Sequence, residues 1–116
     1  MDNIFEVTDK TGRKIKLTNK TWKHIKKHPH MDENSLENLK DIVKNQPILR
    51  CSEDDENTRY LYKEFKDMPP EERYLFISVK YLNGEGFIIT SFFTNKITGL
   101  KWTKKWVFIM MKKEIC

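Results

Sequence analysis

The chain has 116 residues, of which 38% are hydrophobic and 34% are charged, enough for one domain with one core of moderate size and too few for two. This mixture is typical of a globular protein and excludes a disordered chain. No apolar run approaches the roughly 20 residues that cross a bilayer, and the N-terminus lacks the layout of a signal peptide, so we expect a cytoplasmic protein with no membrane association.

The charges are unevenly distributed. Residues 1–30 carry eight basic and three acidic groups, residues 31–73 carry seven and twelve, and residues 74–116 carry seven and two, with a total net charge of +5. If the two basic thirds pack together, they form a surface suited to RNA or DNA. The alternative is that the lysines only decorate solvated faces. Cys51 and Cys116 are expected to be thiols in a reducing compartment and are given no role.

The first third predicts a hairpin followed by a helix. Residues 4–8 and 13–17 alternate apolar and polar side chains around a turn that contains Gly12. Thr18 or Asn19 is predicted to cap the helix, and Pro29 should end it at the preceding residue, His28, because proline disfavours the α conformation there. Trp22 and Ile25, at spacing i and i+3, should face the core.

The remaining elements are one helix and several strands. Asn34 with Glu37 resembles a capping box, and apolar residues recur at helical spacing up to Asn45 and Pro47. Alternation then predicts strands over residues 48–51, 59–65, 73–82 and 86–94, with a tight turn at Asn83-Gly84. Residues 102–111 are a candidate final strand.

The fold class that follows is α+β: an N-terminal β-hairpin and two helices packed on an antiparallel sheet of four to five strands. The helices should cover one face of the sheet and leave the other face partly open.

All three histidines lie between Trp22 and His30, among several lysines. On a helix, His24 and His28 would share one face, with about 6 Å of rise between them. Imidazole titrates near neutrality, so two of them beside cations can handle protons next to a bound anion. The same spacing is compatible with zinc, but no third ligand is evident except a speculative Cys51, and an exposed lysine-rich helix face is the plain alternative.

Several common mechanisms lack their motifs. The sequence has no phosphate-binding glycine loop and no Cys-x-x-Cys pair, and the acidic run of residues 53–56 sits in one predicted loop, so no cofactor or metal is expected. Metal-free RNA cleavage needs a base for the ribose 2′-hydroxyl, an acid for the leaving oxygen and cations or donors around the phosphate. Histidine, lysine, arginine and hydroxyl side chains supply those types of group.

Three segments in order also resemble the phage barnase-EndoU-colicin-RelE-like (PBECR) nucleases. They read L-T-N-K-T-W-K-H-I-K-K-H-P-H-M over residues 17–31, then a helix ending N-Q-P and a Y-L-Y-K strand, then Y-L-F-I-S-V-K-Y-L-N-G-E-G-F-I-I-T-S-F-F-T over residues 74–94. The resemblance covers roughly residues 15–97. It implies the fold of that group, metal-independent endoribonuclease activity on RNA with tRNA as one candidate substrate, and the biology of a toxin or phage effector with a cognate antitoxin or immunity protein.

The resemblance also implies site residues. The implied catalytic set is His24 as general base or acid, His28 as its partner or a phosphate contact, and Lys80 with Thr90 as stabilisers of the transferred phosphate. Residue type and position, without support from the resemblance, add a candidate substrate-binding set of Lys27, Arg59, Tyr62, Lys63 and Ser91.

Each of these residues has a structural alternative. His24 would be a packing residue beside Trp22, Lys80 a solvent-facing strand residue, and Thr90 or Tyr62 a choice for strand propensity or core area. The alternative function is a module of the same fold that binds RNA or a protein partner without cleaving anything.

Overall fold

The computed structural model of the chain describes residues 3–101, with side chains for residues 3–99. The elements in chain order are β1 (Asn3–Thr8), β2 (Lys14–Thr18), α1 (Asn19–Ile25), α2 (Ser35–Asn45), β3 (Ile48–Cys51), β4 (Thr58–Glu64), a 3₁₀ turn (Pro70–Glu72), β5 (Tyr74–Leu82), β6 (Glu85–Thr94) and β7 (Leu100–Lys101). The predicted α+β class and both helices are therefore confirmed.

The sheet is larger than predicted and mixed. Over residues 3–101 it has seven strands, the last of only two residues, in the order β1-β2-β6-β5-β4-β3-β7. The predicted hairpin of β1 and β2 is part of this sheet, because β2 runs parallel to β6 along residues 14–16 and 85–87. The prediction of four to five antiparallel strands was wrong on both points, since strand alternation carries no information about which distant strands pair.

The start of α1 agrees with the predicted cap. Thr18 has an extended backbone, and its Oγ1 accepts a hydrogen bond from the Thr21 N–H at 3.2 Å. The helix ends at Ile25, three residues before the predicted end, and tighter turns carry the chain onward, with the His28 N–H donating to the Ile25 carbonyl at 3.0 Å. The helix is therefore short, and His28 lies in the turn after it.

The predicted capping box of α2 is wrong. The Asn34 side chain makes no capping hydrogen bond. The connection is instead held by Asp32, whose Oδ1 accepts from the Asn34 N–H at 2.9 Å, and by Ser35, whose hydroxyl accepts from the Asp32 N–H at 3.2 Å. At the other end Gln46 adopts φ 47° and its N–H donates to the Ile42 carbonyl at 2.8 Å, which ends the helix in a left-handed cap.

The two helices bury one face of the sheet. The core contains the predicted helix residues Trp22, Ile25, Leu39, Ile42 and Val43, all at most 3% exposed. Alternate strand residues complete it; they are Phe5, Ile15, Leu17, Leu61, Leu75, Ile77, Val79, Tyr81 and Ile88. We call the opposite side the open face of the sheet.

A β-bulge in β6 changes which residues lie on the open face. Ser78 pairs with Thr90, but the next residue, Val79, pairs with Ile88, so Ile89 is the extra residue. Ile88 therefore joins the core at 1% exposure, while Ile89 is 42% exposed. Strict alternation along residues 86–94 places Ile88 on the same face as Thr90, and the bulge puts it on the opposite face instead.

Three further expectations concern the C-terminal segment, the thiol of Cys51 and membrane-spanning helices. The predicted strand over residues 102–111 lies outside the described residues. Cys51, at the end of β3, is 1% exposed and is not a free thiol, contrary to expectation. Within residues 3–101, no helix is long and apolar enough to cross a membrane.

Candidate functional site

Strand pairing arranges the open face of β4, β5 and β6 into three rows of side chains. The first row is Tyr62, Phe76 and Phe92; the second is Tyr60, Ser78 and Thr90; the third is Thr58, Lys80 and Phe87. Successive rows lie about 7 Å apart, because two residues of a strand advance the chain by that distance. The rows bring together aromatic, hydroxyl and cationic side chains.

The first row extends to one of the predicted histidines. The His28 ring is half-buried, and its centroid lies 5.4 Å from that of Phe92 at an interplanar angle of 51°. Phe92 in turn lies 4.9 Å from Phe76, which contacts Tyr60 at 5.4 Å and Tyr62 at 5.1 Å. The short helix α1 lies along the part of β6 that β2 does not pair, so the turn after it places His28 beside the open face.

The second row supplies one accessible hydroxyl. Thr90 is half-buried, two residues from Phe92 on the same face, whereas Ser78 opposite is 6% exposed. Tyr60 is half-buried and its hydroxyl donates to the Ser52 hydroxyl at 3.3 Å. Thr90 therefore offers a hydroxyl on this face, two residues along β6 from the ring that contacts His28.

The third row contains Lys80, which is paired with an acid. Its ammonium contacts the Asp55 carboxylate in a close ion pair, with both side chains about one-third exposed. The hydrogen bond from Lys80, with a further one from the Asn57 N–H, lowers the pKa of Asp55 below its ordinary value. One residue of the predicted acidic loop, residues 53–56, thus has a specific partner: Asp55 contacts Lys80 of β5.

The other two histidines are placed differently. His24 is exposed on α1, and no side chain among residues 3–99 forms a hydrogen bond or ion pair with its ring. His30 adopts φ 64° and pairs with Glu72 through Nε2 at 3.1 Å, which ties the connection between the helices to the 3₁₀ turn. Lys27 is exposed in the turn between His24 and His28.

Four of the predicted substrate-binding residues have structural contacts instead. Tyr62 is 1% exposed and its hydroxyl lies 3.1 Å from that of Thr98. Ser91 is fully buried and donates to the Phe76 carbonyl at 2.7 Å. Lys63 pairs with Asp41 at 2.9 Å, and the Arg59 guanidinium donates to the Gln46 side-chain carbonyl at 2.8 Å with 8% exposure. Of these four, Tyr62 packs on the Phe76 ring of the first row, and Ser91 contacts the Phe76 backbone.

Arg59 belongs to a buried polar cluster with Asp9, Gln46 and Tyr81. The Tyr81 hydroxyl donates to Asp9 Oδ2 at 2.5 Å, and the Gln46 amide donates to the same oxygen at 3.2 Å and to the Tyr81 hydroxyl at 2.9 Å. Burial raises the pKa of Tyr81 well above its ordinary value, and the neighbouring Asp9 adds to this shift. For Asp9, burial alone would raise the pKa, but hydrogen bonds from Thr11, Tyr81 and Arg13 outweigh it and lower the pKa.

Nothing in the sequence pattern singled out Phe92, Tyr60 or Phe87 as site residues. Their shared face follows from strand register and from the bulge, and both depend on pairing between distant segments. One sequence signal could have indicated this shared face: threonine and aromatic residues occupy alternate positions along residues 58–62 and 90–93.

The arrangement of His28, Thr90 and the aromatic rows is suited to an extended anionic polymer. Imidazole can exchange a proton, threonine can donate to a phosphate oxygen, and the exposed ring of Phe87 can stack on a base. Among the described residues, no group of three or more histidine, cysteine or carboxylate side chains is arranged to hold a metal ion. Comparisons with protein-family models, with curated proteins and with solved structures find no match.

Proposed function

We propose that this protein is a small endoribonuclease that cleaves RNA without a metal ion. The observation that carries the proposal is the contact between His28 and Phe92, which brings an imidazole to the sheet face that also holds Thr90. A proton-transfer group beside a phosphate-binding hydroxyl is the minimum that this chemistry needs from the protein.

The proposed reaction uses a nucleophile from the substrate. One histidine takes the proton of the ribose 2′-hydroxyl, whose oxygen attacks the adjacent phosphorus. The bond from phosphorus to the 5′-oxygen breaks, and a second acid gives that oxygen a proton, leaving a 2′,3′-cyclic phosphate and a free 5′-hydroxyl. We assign His28 to one proton transfer and His24 to the other, and Thr90 to the phosphate oxygens.

The finer fold assignment is part of the same proposal. A sheet with two preceding helices on one face is compatible with the barnase-EndoU-colicin-RelE-like arrangement that the sequence resembles. On this proposal the protein acts in the cytoplasm, where RNA is present, as a toxin or phage effector, and a cognate antitoxin or immunity protein would cover the open face.

The direct test is incubation of the purified protein with tRNA and total RNA in excess EDTA. We expect cleavage products that carry 2′,3′-cyclic phosphate or 3′-phosphate ends. Intact RNA, or products with 3′-hydroxyl ends, would contradict the proposal.

The histidine assignments are tested by single substitutions. Loss of a general acid or base typically slows cleavage by about 10²- to 10⁴-fold. We expect His28→Ala and His24→Ala each to show such a loss while RNA affinity changes little. His30→Ala is the matched control, because His30 pairs with Glu72 away from this row. A variant that cleaves as fast as the unmodified protein would remove that histidine from the mechanism.

A module that binds RNA or a protein without cleavage is the second candidate. The observation in its favour is that Lys80, the cation of the third row, is paired with the Asp55 carboxylate, which weakens its action on a transferred phosphate. This function predicts strongly salt-dependent RNA binding with no cleavage, or a specific protein partner with no affinity for RNA.

A further inference from the structure

One aromatic ring of the open face is exposed although the sheet offers it neighbours. Among the described residues, the large hydrophobic side chains with high exposure are Leu82, Phe87 and Ile89, and Phe87 at 38% is the only aromatic one. Phe87 lines a pocket together with Leu82 and with charged side chains, an arrangement in which an accessible ring can take part in binding.

Phe87 lies between two lysines on neighbouring strands. Strand pairing places Lys16 of β2 on one side and Lys80 of β5 on the other, both on the open face. Each lysine is paired with an acid, Lys16 with Glu85 at 2.9 Å and Lys80 with Asp55. All four side chains are about one-third to one-half exposed, and pairs of that kind change an equilibrium by about fivefold or less. A phosphate group can therefore compete for either lysine.

A pocket of about 320 Å³ opens beside this ring. Its lining includes Asn3 and Thr18 from the outer strands together with Lys16, Glu85 and Phe87. An apolar ring with amide, hydroxyl and carboxylate groups around it matches a nucleobase, which has a flat apolar face and a hydrogen-bonding edge.

We propose that Phe87, flanked by Lys16 and Lys80, is a subsite for one nucleotide of single-stranded RNA: the base stacks on the ring and the adjoining phosphates contact the lysines. Because Thr90 and Phe87 pair with Ser78 and Lys80, which are two residues apart on β5, Phe87 lies about 7 Å along the sheet from Thr90. The bound RNA would thus run along β6 from the proposed cleavage site to this subsite. The inference rests on the proposed function for its ligand class.

The test measures binding without cleavage. A fluorescent single-stranded 12-nucleotide RNA whose riboses are all 2′-O-methylated lacks the attacking hydroxyl, and its affinity is measured by anisotropy at low salt. We expect Phe87→Ala to weaken binding by about 5- to 150-fold, the range that corresponds to loss of one stacked base. Phe87→Tyr keeps the ring and should bind within about twofold of the unmodified protein. Ile89→Ala, which removes exposed apolar area from the same strand, is the matched control and should also stay within about twofold.

The outcomes separate this subsite from the nuclease proposal. Equal affinity of Phe87→Ala and the unmodified protein overturns the subsite alone, even if unmodified RNA is cut in EDTA. Phe87-dependent binding supports the subsite even if unmodified RNA stays intact, which would overturn only the nuclease. If Phe87→Ala instead converts a dimer to a monomer in sedimentation velocity and leaves RNA affinity unchanged, the ring belongs to an interface between two copies and the subsite is wrong.

Discussion

The cluster of Asp9, Gln46 and Tyr81 joins three separate parts of the chain at the edge of the core. Asp9 comes from the hairpin turn, Gln46 from the left-handed cap of α2 and Tyr81 from the end of β5, and all three are at most 5% exposed. Each polar atom of the cluster finds a partner, so the cluster orients these elements instead of weakening the core. We assign it a structural role.

The lowered pKa of Asp9 predicts how stability depends on pH. Since the folded protein binds this proton less readily than the unfolded chain does, the contribution is complete above the ordinary carboxyl pKa of 3.8 and is lost as the pH falls toward the lowered folded pKa. We expect urea unfolding to give a lower free energy of unfolding at pH 3 than at pH 7. This decrease should be smaller in the Asp9→Asn variant than in the unmodified protein. The ion pairs of Asp41 with Lys63 and of Asp55 with Lys80 also lower the carboxyl pKa and so make stability fall at low pH. Their contribution is small because both pairs are exposed to solvent. An identical pH dependence in Asp9→Asn would contradict the assignment.

The hydroxyl of Tyr81 offers a second test of the cluster. Tyr81→Phe removes the donor to Asp9 and leaves buried polar groups short of a partner, which costs about 1–3 kcal/mol. Tyr74→Phe, on the same strand but half-buried, is the control and should cost much less. Equal free energies of unfolding for the two variants would mean that the Tyr81 hydroxyl contributes nothing.

The pair of Lys80 and Asp55 predicts a gain of function. Asp55→Asn removes the carboxylate that neutralises Lys80 and leaves the lysine free to contact phosphate, so RNA should bind several-fold more tightly. Asp54→Asn, one residue earlier in the same loop, changes the net charge equally and is the matched control. If both substitutions raise RNA affinity to the same extent, the effect is one of net charge and the contact with Lys80 is irrelevant to binding.

Strand β6 organises the sheet, because it pairs with the hairpin on one side and with β5 on the other. Its close approach to β5 depends on Gly86, where an added Cβ would lie 2.7 Å from the Lys80 carbonyl oxygen and 3.0 Å from Ile15 Cδ1. A backbone oxygen in a paired strand cannot move without disturbing the ladder. The pairing of β6 with β5 therefore requires glycine at this position.

Gly86→Ala should accordingly destabilise the fold by about 1–3 kcal/mol or more, the usual cost of overpacking a core. Gly84→Asn is the control: that turn residue has φ +71° and open space around it, and asparagine tolerates a left-handed backbone. Thermal unfolding of both variants measures the difference. A midpoint for Gly86→Ala equal to that of the unmodified protein would show that β5 and β6 can separate at no cost.

The whole molecule divides into a covered and an open face, and its charge determines what the open face can bind. The net charge of +5 favours polyanions in general. We expect the logarithm of the RNA association constant to fall linearly with the logarithm of salt concentration, by about 0.7 per phosphate contacted on a single strand.

The substitutions Lys16→Ala and Lys80→Ala should each lower that salt slope by about one contact if both lysines touch phosphate. Lys44→Ala, at the last turn of α2 on the covered side, is the control for net charge alone. Titrations of RNA binding at several salt concentrations measure the slopes. A slope that the first two substitutions leave unchanged would place the phosphates elsewhere.

Local patterns were enough to predict the elements of this protein. The alternation along residues 13–17 and 73–94, the cap at Thr18 and the Asn83-Gly84 turn predicted strands, a helix start and a hairpin that the structure confirms to within a few residues. These features depend on neighbours in sequence, for which side-chain period and turn chemistry are sufficient.

Tertiary structure alone decided where the candidate site lies. The parallel pairing of β2 with β6 joined the hairpin to the sheet, the bulge at Ile89 turned Ile88 inward, and α1, ending at Ile25, placed His28 beside Phe92 and left His24 in solvent. The buried contacts of Ser91 and Tyr62, and the acids that hold Lys63 and Lys80, also come from residues far away in sequence. Such contacts depend on which distant segments pair and in which register, and the side-chain pattern of one segment does not contain that information.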